Sequence, residues 1–399
     1  MNDIKKMEKI ENIIEKVEAI FPEIIKNRRH IHANPELSFQ EFNTAKFIRQ
    51  ELNAMGIEYK THIETGTSAV IGSGQRCVAL RADIDALPIQ EQTDLSFISK
   101  KQSVMHACGH DMHTAMLLGA ARILKDMESD IPGKIKLIFQ PGEEKLPGGA
   151  KLMIEDGVLE NPAPEAIFGQ HVFPGASVGI VSTSAGAVMA APDELYITIK
   201  GKSTHAAQPH SGNDPIVCAA NLINFYQTLV SRNTDPVKAA VITIASIHGG
   251  ASTNIIPDEV KMMGTVRTFD AGLREKLHKL IREETLKLCS VYGCTVEVDL
   301  KAGYPAVINN VKMAEITKNT AIELFGENAF QDFEPKMWGE DFSFYGEKIP
   351  SCFWFTGVRS PELTEMPTLH NSKMSPDEKA VIYGTAMMVG VALNYLKNA

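Results

Sequence analysis

The chain has no CxxC pair, no long apolar run, no internal repeat and no low-complexity segment. Its six cysteines, at 77, 108, 218, 289, 294 and 352, follow no regular spacing. That argues against a disulfide scaffold and a CxxC zinc finger, so free thiols in a reducing cytoplasm are expected. Basic residues are outnumbered, 40 Lys+Arg against 49 Asp+Glu, and the net charge is −9. A general nucleic-acid binder would show a basic stripe instead. A bilayer span needs about 18–20 apolar residues, and a secretory leader needs an apolar core and a small-residue cleavage site. The first 20 residues mix charged and apolar side chains at helical spacing and offer neither. Neither nucleic acid nor membrane is therefore an expected partner.

The 399 residues are 44% hydrophobic, enough to build a sizeable core, and the length favours two domains. Helical periodicity runs over 5–31 and 40–55. Short apolar runs at 77–80, 135–139 and 166–168 alternate with helical patterns at 113–127 and 149–156. The alternation predicts an α/β fold, a mixed, mostly parallel sheet flanked by helices. Polar clusters follow each run: RADIDALP after CVAL, QPGEE after IKLIF, His171 after AIFGQ. In open α/β sheets the carboxyl ends of the strands form the ligand-binding edge. From 193 the pattern changes to strand, helix (214–231), strands (240–247 and 258–268), helix (270–291) and strand (294–300). This β-α-β-β-α-β order predicts a ferredoxin-like α+β insert over 193–302. The flanking segments, 1–192 and 303–399, with an apolar run at 352–357 and a last helix at 375–397, would form one discontinuous catalytic domain.

The stretch HACGHDMH, 106–113, is the densest in chemistry. Cys108 alone would be read as core packing. His110 two residues on, with His106, Asp111 and His113 around it, favours a transition-metal ligand pair whose partners come from elsewhere. Glu143 and Glu144 follow an apolar strand and a Pro-Gly turn. Extended neighbours point opposite ways, so one could bind metal while the other activates water. Asp83 and Asp85 share a side with Arg81. Either a structural Arg–Asp pair or a carboxylate orienting a ligand fits them. His171, His205, His210 and His370 are each, taken singly, more often satisfied polar residues. His30, His32, His62, His248 and His278 are read as structural.

Together, HACGHDMHTAMLLGAA, LRADIDALPIQEQ, FQPGEE…GGAKLMIEDG, GKSTHAAQPHSGNDPI, STNIIPDEV…GTVRTFD and GEDF…LHN resemble the N-acyl-amino-acid amidohydrolase family. It includes hippurate hydrolases, N-acetyl-diaminopimelate deacetylases and plant indole-acetyl-amino-acid hydrolases, within the aminoacylase and carboxypeptidase metallopeptidase superfamily. The likeness runs from 27 to 374. It implies two divalent ions (zinc, manganese, cobalt or nickel) with Cys108 bridging and His110, Glu144, His171 and His370 completing the set. It implies Glu143 as general base and an aspartate of DIDALP, Asp83 or Asp85, behind the metals. It also implies a homodimer through the insert, acting as a lid. His205 would reach the partner's site and stabilise the oxyanion, while Asn254 and Arg267 hold the substrate. Lys145 and Leu146 are a less familiar continuation of the glutamate pair. Two divalent ions outweigh the thiolate, Glu144 and a hydroxide, so an anionic N-acyl amino acid suits the site. A metallo-dipeptidase or carboxypeptidase is the neighbouring alternative, but such relatives usually carry a histidine where RADID stands. A catalytically silent binding module would not need Glu143.

Overall fold

The computed structural model describes residues 13–398. It divides into two compact units: one comprises the chain up to Val188, Ile308–Glu334 and the chain from Asp341 on, the other Met189–Val307 and Pro335–Glu340. The predicted insert, 193–302, lies inside the second unit.

The expected 5–31 helix starts outside the described residues and is not continuous within them. Helix 13–19 ends in a turn at Ile20, and a new helix, Phe21–Ala33, starts with Pro22 in its first turn. Proline lacks the N–H needed inside a helix but suits the first turn, where that N–H has no partner anyway. The second helix buries Ile24, Arg28, Ile31 and His32 on one stripe.

The first unit is built on an eight-stranded sheet. Its strands are β1 (Tyr59–His62), β2 (Gly66–Gly72), β3 (Cys77–Asp83), β4 (Lys134–Gln140), β5 (Ala166–Ser177), β6 (Val181–Thr183), β7 (Phe330–Asp332) and β8 (Ser351–Arg359), in the order β1-β2-β4-β3-β5-β8-β6-β7. The four central strands, β4-β3-β5-β8, run parallel, with antiparallel pairings at β1-β2, β2-β4 and β8-β6. β3 is buried along its whole length, as a strand covered on both faces must be. The β1-β2 hairpin was not foreseen, and the run at 166–168 proves to be the start of a twelve-residue strand. Helix His110–Asp126 is buried almost throughout. Helix Ala380–Asn398 starts later than the expected 375. It is the one described helix apolar and long enough to cross a membrane, yet 78% of that window is buried inside the structure, the setting of a core helix.

The second unit carries a four-stranded antiparallel sheet. Numbered in chain order its strands, Ala191–Lys200, Ala240–His248, Glu259–Thr268 and Thr295–Lys301, lie in the sequence 2-3-1-4. Helices Pro215–Asn233 and Ala271–Val291 pack on it around Leu222, Tyr226, Leu277 and Ile281. Asp214 and Asp270 cap the two helices through their side chains. This is the ferredoxin-like arrangement the strand and helix order predicts.

Candidate metal centre

The site lies past the carboxyl ends of β3 and β4, and His171 joins it from within β5, just beyond the stretch that pairs with β3. Cys108 is buried just before helix His110–Asp126, and Gly109 between them has φ +88. A Cβ at Gly109 would run into the Val172 side chain, so both conformation and space require glycine. That turn sets the thiol and the His110 ring on the same side.

Two groups of donor atoms, each within 4.8 Å of one another, share Cys108: Cys108 with His110 and His171, and Cys108 with Glu144 and His370. His171 Nε2 stands 3.3 Å from the Cys108 sulfur. Its Nδ1–H donates to the Val172 carbonyl, 2.8 Å away, leaving Nε2 as the free lone pair. His110 is held likewise, Nδ1 lying 3.2 Å from Asp85 Oδ1. Its Nε2 is buried with no hydrogen-bond partner, 3.8 Å from Asp83 Oδ2 and 3.9 Å from Glu144 Oε1. His370 has a left-handed φ of +61, which histidine adopts more readily than most residues. Its Nε2 lies 3.1 Å from Glu144 Oε1, close enough for an ion pair but not at hydrogen-bonding angles.

Both readings of the RADID segment apply, to different residues. Asp83 makes the structural pair: Oδ2 takes Arg81 at 2.7 Å, and Oδ1 lies 2.6 Å from His113 Nδ1. His113 Nε2 accepts the Val172 N–H at 2.9 Å. Both nitrogens of His113 are thus committed, which excludes it as a ligand although it sits in the cluster. Asp85 is the carboxylate behind His110, the arrangement that fixes a ligating imidazole. Its other oxygen takes Ser38 Oγ–H at 2.6 Å and the Glu144 N–H at 3.0 Å.

Glu143 and Glu144 are not extended neighbours pointing opposite ways. They sit in a turn after Gly142, φ +65, and both carboxylates come within 4.8 Å of a His110 ring nitrogen. The glycine reverses the chain so that both side chains reach one place. Glu143 is 6% exposed.

Carboxylates dominate the electrostatics of the cluster. Burial pushes the Cys108 thiol well up, and Glu144, Glu143 and Asp83 push it further. Burial lowers His110, but Asp83, Asp85 and Glu144 outweigh it and raise it to about 10. Asp85 stays below the usual carboxylate range, its burial outweighed by the bond from His110. Converging thiol, imidazole and carboxylate donors, with an orphaned Nε2 among them, fit divalent first-row ions.

In the second unit, His205 and Asn254 come together. Strand Thr204–His205 pairs with Ile255–Ile256, and the Ala206 N–H donates to the Asn254 carbonyl at 2.9 Å. The His205 ring is exposed, its Nδ1 accepting the Ala207 N–H. Arg267 sits half-buried on the neighbouring sheet, opposite Pro192.

The profile of peptidase family M20/M25/M40 matches residues 79–394. The chain belongs to this family. It is a hydrolase of amide bonds. Among its relatives, an IAA-amino acid hydrolase of Arabidopsis thaliana is 40% identical, over 92% of this chain and 84% of that one. The N-acetyl-L-cysteine deacetylase of Bacillus subtilis is 39% identical, over 96% and 90%. A dinuclear metal binding M20 peptidase of Bacillus subtilis superposes with a TM-score of 0.82 at 35% identity, covering 96% of this chain and all of that one.

The buried partners of one structural histidine near this M20 site escaped the sequence reading. His32, taken as structural, joins a buried ionic group beside His110. Its Nδ1 lies 2.9 Å from Asp111 Oδ2, its Nε2 3.1 Å from Glu91, and Arg28 Nε bonds the same Asp111 oxygen at 3.1 Å. HIHANPEL alone carried no sign of Glu91 and Asp111, which are 59 and 79 residues from His32. Burial lowers the His32 pKa, but Asp111 and Glu91 raise it to about 9. A folded value above the unfolded value of about 6.5 stabilises the protein fully below pH 6.5, and the effect fades as pH rises through 9. Between those limits the loss should be on the order of 3 kcal/mol. Urea midpoints should therefore fall from pH 6.5 to 9.5 more steeply in the wild type than in His32→Gln. Parallel pH slopes would refute the assignment.

Proposed function

We propose that this chain hydrolyses N-acyl amino acids to a carboxylate and a free amino acid at a two-metal centre. The observation that carries the proposal is the Cys108 sulfur, shared by two donor groups beside the Glu143 carboxylate. A thiolate in that position suits a bridge between two ions. His110 and His171 would complete one side, Glu144 and His370 the other. The relatives named for N-acetyl and indole-acetyl substrates support the acyl amino acid class.

Two bound divalent ions would supply polarisation of the scissile carbonyl and a lowered pKa for the attacking water. Glu143 takes the proton from that water and hands it to the leaving amine. With the ions bound, Asp85 would hold His110 so that Nε2 is the ligating nitrogen, and the Val172 carbonyl would do the same for His171. Asp83, tied to Arg81 and His113, holds the peptide of Val172 in place. Asn254 and Arg267 would bind the substrate, Arg267 gripping its carboxylate with a bidentate fork. His205 would stabilise the oxyanion. The second unit would act as a lid and dimer surface, and the protein would work in the cytoplasm.

A purified sample loaded with zinc, manganese, cobalt or nickel should be screened on N-acetyl, benzoyl and indole-acetyl amino acids against dipeptides. Faster turnover of dipeptides would favour the peptidase reading, which the M20 peptidase structure makes the second choice.

If His205 serves the partner's site, Glu143→Gln and His205→Ala chains should complement each other. Each mixed dimer has one site with both lesions and one with neither. Random assembly after co-expression gives roughly half mixed dimers, so about a quarter of wild-type activity should return. Activity no higher than the mean of the two parents, with mixed dimers present, would place His205 in its own chain's site or outside catalysis altogether.

A further inference from the structure

Glu41 is a fully buried carboxylate with no part in the chemistry above. It stands at the N-cap of helix Phe42–Ala54, yet its side chain makes no cap bond. Glu36 does that job, its Oε2 accepting the N–H groups of Asn43 and Thr44 at 2.9 and 2.8 Å. The Glu41 side chain instead turns to the loop of the paired glutamates. Its Oε1 accepts the Gly142 N–H at 2.9 Å and the Phe39 N–H at 2.8 Å, and its Oε2 accepts the Thr65 hydroxyl at 3.0 Å.

The residues beside it converge on the same loop. Phe39 adopts φ +65, a conformation a bulky residue rarely takes, with its N–H held by Glu41. Its ring fills the space where a Cβ of Gly142 would stand. Ser38 bonds Asp85 Oδ2, the oxygen that also accepts the Glu144 N–H. Gly142 and Glu144 are therefore each tied through the backbone amide to a buried carboxylate, and Glu143 lies between the ties.

We propose that Glu41 is a positioning residue: by holding the Gly142 amide it fixes the turn that aims Glu143 and Glu144 at the metal centre. The proposal rests on the reading of Glu144 as a ligand and Glu143 as the base. Nothing in the geometry requires a charge on Glu41. A glutamine can accept both N–H groups at its carbonyl and donate to Thr65. Burial, aided by Asp85, already raises the Glu41 carboxyl to about 7, so a neutral isostere suits the place.

The test compares full-length Glu41→Ala, Glu41→Gln and Glu144→Ala, using zinc alone as the probe in competition with a chelating dye, and measuring kcat and KM on the best substrate of the screen. Glu41→Ala should weaken zinc binding and lower kcat by about 10–100-fold, the usual cost of losing an outer support, with KM nearly unchanged. Glu41→Gln should restore both to within about threefold. Wild-type zinc affinity and kcat in Glu41→Ala would overturn the proposal, as would equal impairment of the alanine and glutamine variants. Should Glu41→Ala not fold, Glu41→Asp replaces it. That variant keeps the carboxylate but withdraws it by one methylene, and the same losses are expected. Glu144→Ala separates the two levels. If it loses zinc while Glu41→Ala keeps it, only the positioning role falls; if it keeps zinc, the ligand reading falls and the positioning role with it.

Discussion

Glu143→Gln is expected to lower kcat by about 10²–10⁴, the range for loss of a general base, while metal content stays at the wild-type level. The carboxylate is buried, with an oxygen within 4.8 Å of both a His110 ring nitrogen and a Glu144 oxygen, so it faces the place where a water would be deprotonated for attack on the amide carbonyl. Glutamine has the same shape and keeps a carbonyl oxygen, so the turn after Gly142 should not move. Glutamine cannot accept and return a proton. The loss should therefore fall on kcat, with KM changed little, because the interaction is made in the transition state. Metal analysis separates this from structural damage: kcat near wild type, or a loss of kcat matched by a loss of metal, would remove Glu143 from the role of base.

Cys108→Ala should have the larger effect on the metal. His171 belongs to one donor group and His370 to the other, but the Cys108 sulfur belongs to both. Replacing either histidine should weaken one ion more than its neighbour. Replacing Cys108 should weaken both, by more than the roughly 100-fold that marks the upper end of losing only an outer support. Activity should fall with the metal. The measurement is the metal-to-protein ratio after dialysis against a weak chelator, for Cys108→Ala beside His171→Ala and His370→Ala. A Cys108→Ala protein that keeps one ion at wild-type affinity would show that the thiol serves a single metal.

Much of this could be read from the chain alone, for physical reasons that differ by element. The runs at 77–80 and 135–139 stood out because strands covered on both faces are almost wholly apolar, Lys136 being the exception. The insert stood out because one face of its sheet is exposed and the side chains alternate. The break at Ile20 was hidden by helical periodicity on both sides of Pro22. The β1-β2 hairpin was missed since YKTH and GTSAVIG lack a strong apolar signature. Within the site, Cys108 and His110 were visible as unusual chemistry before a helical pattern, and the paired glutamates as carboxylates at a strand end. Their common orientation was not, because it depends on the φ angles of Gly109 and Gly142. Choosing between Asp83 and Asp85 required knowing which one meets His110. Glu41 was the least legible: its bond to Gly142 spans 101 residues, and nothing in PELSFQEF marks it apart from an ordinary helix start.

The donors grouped around Cys108 come from segments near 108, 144, 171 and 370, which adjoin only once the first unit has folded. An unfolded chain offers no such group, so ions held in the proposed way bind the native state alone. At free metal a hundredfold above the dissociation constant that preference adds about 2.7 kcal/mol. Ion supply would then govern how much of the protein survives as well as how fast each copy works. Cells short of the metal would clear the empty chain through their proteases, and abundance would track the metal pool without any change in synthesis.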